Sequence, residues 1–211
     1  DTEDVNRFVH GTTVATNAVL TGNGAKVGLL TTHGYESVLQ VARSFCPGGL
    51  GGWVSFVKGP LLAPLELTYG VKERTDASGE ISVELDEGHL REQLSSLKAK
   101  GEVEALTISF VNSYINNSNE VAAAKIAAEI FTDIPISISS EVIPEMQEYE
   151  RAETTVLNSY VRPQVSNYVN NLQANLEKSL GGDVQLSILR SDGGLASSRA
   201  TGDSPVNHLM S

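Results

Sequence analysis

Apolar and polar positions follow two rhythms along this chain, a helical one and an extended one, and they alternate from the start. Arg7 to His10 is a short extended run ending in Gly11, Thr12 and Thr13, after which Val14, Ala15, Ala18, Val19 and Leu20 fall on one helical face. Gly22-Asn23-Gly24 stops that helix, Lys26 to Thr32 reads as a buried strand, and Tyr35 to Arg43 returns to helical spacing. Between Phe45 and Pro64 the rhythm breaks at Pro47-Gly48-Gly49-Leu50-Gly51-Gly52-Trp53, which predicts a long surface loop with Trp53 as its lid or its anchor. Leu65 to Thr75 and Glu80 to Leu85 alternate on either side of Asp76-Ala77-Ser78-Gly79, the pattern of a hairpin. A helix from Asp86 or Glu87 to about Lys100 follows, then a strand from Glu104 to Phe110, a helix from Asn119 to Phe131 and a strand from Ile134 to Ser140, a βαβ unit. From Glu141 the spacing is helical as far as Leu180, with an interruption expected at Pro163 and a stop at Gly181-Gly182. Val184 to Leu189 is then a strand, closed by the turn Ser191-Asp192-Gly193-Gly194.

This alternation predicts an α/β fold, a mixed sheet with flanking helices, because parallel strands need a crossover and the hairpin adds antiparallel pairing. It also predicts a boundary near the double glycine, with residues 1–182 forming one domain and 183–211 opening a second. On that division the apolar residues of the tail have little to pack against, and weak hydrogen-exchange protection is expected there.

With 211 residues and 40% hydrophobic content, the chain can bury one sizeable core plus the beginning of another. Its longest apolar stretches, Val27 to Leu30 and Ala105 to Ile108, are strand-length and far short of the roughly 20 residues a bilayer crossing requires. Asp1 to Asn6 carry neither the basic start nor the apolar run of a signal sequence. The single cysteine, Cys46, leaves no internal disulfide framework and no cysteine-clustered zinc site, so a cytoplasmic setting is expected. A formal charge of -11 repels a phosphate backbone, which argues against nucleic acid as a partner.

Two turns carry the chemistry. His10-Gly11-Thr12-Thr13-Val14-Ala15-Thr16-Asn17-Ala18 combines a glycine that permits close backbone approach, helix-start amides that attract anions, and hydroxyl, imidazole and amide groups that orient a ligand. A phosphate or carboxylate suits it; equally, Thr12 or Thr13 can cap the helix and His10 can be a core histidine. Ser191-Asp192-Gly193-Gly194 has the same logic, with Asp192 able to hold a metal through water, although the same four residues also make an ordinary tight turn. A third cluster, Glu148, Tyr149, Glu150, Arg151 and Glu153, is either a proton-transfer or metal group facing a cleft or a solvated helix face.

Taken together, these blocks resemble the hydantoinase A/5-oxoprolinase family, which also includes acetone and acetophenone carboxylase subunits. The resemblance rests on Phe8 through Ala18, Gly24 through Thr32 with Gly34-Tyr35, Glu73-Arg74 with Asp76 and Gly79, Ser139 through Val142 with Pro144, and Glu148-Tyr149-Glu150-Arg151 leading into Thr154 through Asn158. It implies a fold similar to the actin-like and sugar-kinase-like ATPases, with two domains around a nucleotide cleft.

The resemblance further implies an ATP-dependent enzyme, using ATP and Mg2+, that phosphorylates and opens a hydantoin, oxoproline or lactam ring. An unstrained amide resists water, and phosphorylating its oxygen makes the carbon an electrophile. A ketone carboxylase subunit is the alternative, and a non-catalytic assembly module a third. Within the two turns the expected catalytic residues are His10, Thr12 and Thr13, with Gly11, Asn17, Ser191, Asp192, Gly193 and Gly194 holding the nucleotide and Asp192 the metal. A cyclic amide or ketone and a hydantoinase B-type subunit or domain are the expected partners. Family members also carry a DxGGTFTD-like phosphate loop ahead of the first block and a GPAGG-type segment after Pro205 to Ser211. This sequence includes neither, so it reads as a piece cut at both ends, inactive alone.

Overall fold

A computed structural model describes residues 5–44, 46, 48–180 and 184–209, with the side chains of Leu50 and Trp53 left out. The expectations for Trp53 as lid or anchor and for Gly181-Gly182 as a helix stop therefore lie outside the described residues. Contacts divide the chain into two compact units, one made of residues 26–156 and the other of residues 1–25 with 157–211.

The larger unit is built on a four-stranded parallel sheet. β2 (Val27–Thr32) lies between β3 (Thr68–Val71) and β6 (Ala105–Ser109), and β7 (Ile136–Ile138) follows on the far side of β6. Every residue of β2 and β6 is buried, as central strands covered on both faces must be. Helix α4 (Glu87–Ala99) buries Leu90, Leu94 and Leu97 at helical spacing, and α5 (Ser118–Ile130) contributes Ala123, Ile126 and Ala127 to the same core. Each such leucine adds about 1.5–3 kcal/mol when taken from water. Asp86 caps α4 by accepting from His89 N at 2.9 Å.

Four local expectations give way here. The segment expected to be a loop holds α3 (Gly49–Ser55), entered through Gly48 and Gly49 at φ of +89° and +61°, so its glycines serve a helix start. Residues Leu65 to Thr75 do not form one hairpin arm: Thr68–Val71 joins the parallel sheet, and only β4 (Arg74–Thr75) pairs with β5 (Ile81–Val83). The helical spacing from Tyr35 to Arg43 yields only α2 (Val38–Val41), while the expected strand at Ser139-Ser140 is already α6 (Ser139–Val142).

Helix α7 (Glu148–Leu180) runs uninterrupted through Pro163. Its buried positions, Ala152, Val156, Tyr160, Val161, Val165 and Val169, continue across the proline, and their packing outweighs the hydrogen bond that proline cannot donate.

The smaller unit holds a three-stranded sheet in which β8 (Gln185–Leu189) lies between β1 (Arg7–His10) and β9 (Leu195–Ser197), parallel to the first and antiparallel to the second. Around it are α1 (Val14–Thr21), the later part of α7, α8 (Ser198–Asp203) and a helical turn at Pro205–His208. The expected boundary at 182/183 is not where the contacts divide, because β1 pairs with β8 and not with β2. The expectation of a poorly packed tail is likewise corrected: Val184, Leu186 and Ile188 are buried in the middle strand. Asn158 ties the tail to α7, donating to Asp203 O and accepting from Val206 N, and Ser166 donates to Gly202 O. Among the described residues, no helix is long and apolar enough to cross a membrane.

Candidate functional site

β1 and β8 run parallel with His10 opposite Ile188, so the turns that follow them leave the same edge of one sheet. This register brings Gly11-Thr12-Thr13 and Arg190 to Gly194 to one end of the smaller unit, although most of the chain separates them in sequence. The carboxyl edge of parallel strands is where α/β folds place ligands, since the strands end there and helices begin.

In the first turn Gly11, Thr13 and Asn17 are exposed and Thr12 is buried. Thr13 stands at the N-cap of α1 without a side-chain capping bond; instead Thr12 Oγ1 accepts from Val14 N at 3.3 Å. Asn17 Nδ2 donates to Thr13 Oγ1 at 3.4 Å, and a side chain's first carbon at Gly11 would meet nothing within 4 Å. His10 is placed elsewhere: its Nε2 is 2.7 Å from the Tyr168 hydroxyl on α7, and its ring sits beside those of Phe8 and Tyr168. Alternation along β1 puts Phe8 and His10 on the same, half-buried side.

In the second turn Gly193 takes φ of +82°, a conformation that favours glycine, and its N–H donates to Arg190 O at 3.0 Å. Asp192 Oδ1 accepts from Gly194 N at 2.9 Å, while Oδ2 pairs with Arg190 at 2.9 Å. Ser191, exposed, is tied to the following segment, its hydroxyl donating to Asn207 O at 3.0 Å and also contacting Leu209 O. Both carboxylate oxygens of Asp192 are thus committed within the turn. Among the described residues no group of three or more His, Cys, Asp and Glu is placed to hold a metal ion.

A second polar constellation, which periodicity did not single out, lies at the carboxyl edge of the larger sheet. Glu73 accepts from Thr32 Oγ1 and, at 2.9 Å, from Asn119 Nδ2; Thr32 Oγ1 in turn accepts from Val111 N at 2.9 Å. Glu120 accepts from Phe110 N, Ser139 Oγ and Ser140 N at 2.6 to 2.9 Å. Arg151 donates to Ser139 Oγ, Glu145 O and Phe110 O. Burial raises the Glu73 carboxyl above its ordinary range, opposed by its hydrogen bonds to Thr32 and Asn119. The Glu148 to Glu153 cluster separates accordingly: Arg151 is 1% exposed and turned inward, while Glu150 pairs with Arg43 at 2.6 Å.

The mixed, helix-flanked sheets define an α/β protein in which two glycine-bearing turns share one sheet edge. The family model described as hydantoinase/oxoprolinase N-terminal region matches residues 1–131, and the one described as hydantoinase/oxoprolinase matches residues 151–211. The chain belongs to the hydantoinase/oxoprolinase family. It is 31% identical over 208 residues to the caprolactamase subunit alpha of Pseudomonas jessenii, covering 99% of this chain and 30% of that protein. Among solved structures it is similar to the ATP-dependent caprolactamase of Pseudomonas jessenii, with a TM-score of 0.85 and 29% identity over 98% of this chain and 30% of the other. It is also similar to nucleotide-free acetone carboxylase, with a TM-score of 0.82 and 26% identity over 94% of this chain and 29% of the other. The chain spans less than a third of the length of the curated relatives it matches.

Proposed function

We propose that these residues contribute the nucleotide-phosphate edge of an ATP-dependent enzyme that opens cyclic amides. The observation that carries this reading is the parallel pairing of β1 with β8, which puts two exposed, glycine-bearing turns side by side at strand carboxyl ends. Gly11 and Gly193 let the backbone come close to phosphate oxygens, and the first-turn amides of α1 meet negative charge favourably. Thr13 and Asn17 donate from the exposed rim. Thr12, Ser191 and Asp192 hold the shape of the two turns, Gly194 belongs to the second, and His10 is a positioning residue braced by Tyr168.

ATP bound there supplies a phosphoryl group to the amide oxygen, converting a resistant amide carbon into one that water attacks. No step is assigned to a metal. A partner of the hydantoinase B type fits the relative's designation as an alpha subunit, and a cytoplasmic setting fits the need for ATP. Similarity to acetone carboxylase favours a second reading, in which a ketone oxygen takes the phosphoryl group before carboxylation.

The test is phosphate release by the whole protein with candidate partner subunits, comparing hydantoin, 5-oxoproline, and a simple ketone with bicarbonate. Ring-dependent release is expected. Ketone-dependent release would transfer the assignment to the carboxylase reading, and release with neither would reject both.

A further inference from the structure

Along the part of α7 that belongs to the smaller unit, Asn158, Arg162 and Ser166 recur every fourth residue and so share one helical face. All three engage the end of α8. Asn158, fully buried, donates from Nδ2 to Asp203 O at 3.2 Å and accepts from Val206 N at 3.1 Å. Arg162 pairs with the Asp203 carboxylate at 2.8 Å, and Ser166 donates to Gly202 O at 2.9 Å. A helix leaves its last carbonyls without partners of its own, and here a second helix supplies the donors.

The segment held on that side is bonded on its other side to the second glycine turn. Asn207 O accepts from both Ser191 N and Ser191 Oγ at 3.0 Å, and Leu209 O accepts from the same hydroxyl. His208, 1% exposed, donates from Nδ1 at 2.9 Å to the carbonyl of Leu189, the last residue of β8. Between the two anchorages the chain is short and stiff: Pro205 fixes its own φ, and Asn207 N donates back to Ser204 O at 3.3 Å. The other bonds of the turn are internal, from Arg190 N to Gly194 O, Gly193 N to Arg190 O and Gly194 N to Asp192. Among the described residues, only Ser191 bonds the turn to anything outside the β8–β9 hairpin. The turn thus takes its shape from within and its place from residues 203–209.

We propose that Asn158 is a positioning residue for the Ser191–Gly194 turn, fixing through residues 203–209 where the backbone of that turn stands at the sheet edge. Both polar atoms of its amide are engaged in the core, so it acts without reaching the ligand edge itself. Arg162 and Ser166 support the same helix end. As a link within the smaller unit this stands on the bonds above; as a determinant of nucleotide affinity it rests on the reading of the two turns as a phosphate edge.

The experiment compares Asn158→Ala, Ser191→Ala and their combination in the whole protein, by hydrogen exchange without nucleotide and by phosphate release as a function of ATP. In Asn158→Ala, residues 190–194 should exchange about tenfold faster while residues 185–189 stay as protected as in the wild type. KM for ATP should rise about fivefold with kcat within about twofold, because contacts made equally in ground and transition states move KM alone. In the double variant the rise in KM should fall short of the product of the single rises, since both changes cut one chain of bonds. Should Asn158→Ala fold poorly, Arg162→Met, at a more exposed position on the same face, should shift both readings the same way by about two- to threefold. Val165→Ala, from the buried face of the same helix, controls for plain destabilisation: it should lower the melting temperature and move neither reading. Wild-type exchange at residues 190–194 in Asn158→Ala or Arg162→Met, or single effects on KM that multiply in the double variant, would overturn the proposal. Faster exchange with KM unmoved in Asn158→Ala and Ser191→Ala alike would instead remove the phosphate reading of the turn and leave the link standing.

Discussion

Two sets of loops leave the carboxyl ends of parallel strands in this chain, and they use polar residues in opposite ways. At the larger sheet, Thr32, Glu73, Asn119, Glu120, Ser139 and Arg151 are buried or nearly so and bonded to one another or to backbone. At the smaller sheet, Gly11, Thr13, Asn17 and residues 191–194 are exposed, and Gly193 takes a backbone conformation that favours glycine. Chemical richness and availability are therefore different properties. The first set holds more ionisable groups, locked into one another; the second holds fewer, and it is the one proposed to meet the ligand.

The strongest way to break that comparison is to cut the scaffold. Arg151→Met leaves Phe110 O, Glu145 O and the Glu120 carboxylate without their buried cation, and should lower stability by about 3–5 kcal/mol in urea unfolding. A loss below about 1 kcal/mol would show the network to be dispensable.

A smaller effect sharpens it through pH. The folded chain holds the Glu73 proton more tightly than the unfolded chain does, because burial raises that carboxyl. The resulting stabilisation is complete below the ordinary carboxyl range and is lost as pH rises through the raised value. Stability of the wild type relative to Glu73→Gln should accordingly be greatest near pH 4 and decline toward neutrality, a trend that thermal melts across that range will show. A difference that stays flat would mean Glu73 titrates as it does unfolded.

The smallest expected effect is at the site itself. Gly11→Ala adds a carbon that meets open space, so it should change stability by no more than about 0.5 kcal/mol. In the same unit, amides of β8 should be well protected in hydrogen exchange, since Leu186 and Ile188 lie buried between two paired strands. Rapid exchange there would restore the poorly packed tail that the sequence suggested.

Much of this was legible in the sequence because local spacing decides it. Leu90, Leu94 and Leu97 announce the inner face of α4, and the unbroken apolar run at Val27 to Leu30 announces a central strand. The two turns were legible as polar, glycine-bearing turns for the same reason: their glycines, hydroxyls and carboxylate are contiguous. What spacing cannot show is pairing across distance. Nothing near Arg7 indicates that its partner is Gln185, and that pairing moves the division between units and buries the tail. Nor does spacing give direction within a crowded helix turn. Arg151 and Glu150 are neighbours in sequence, yet about 100° of rotation per residue sends one into the core and the other to Arg43. For His10 the sequence allows both a ligand-orienting and a core imidazole, and the Tyr168 that engages it lies too far along the chain for spacing to show.

The measurement that bears most directly on the account is ring-dependent phosphate release by the whole protein carrying Gly11→Val, with thermal melting of the same variant as control. Phosphate release should fall by at least about tenfold, equivalent to roughly 1.4 kcal/mol, while the melting temperature stays close to that of the wild type. Unchanged phosphate release from the folded variant would contradict the assignment of the β1 and β8 turns as the phosphate edge.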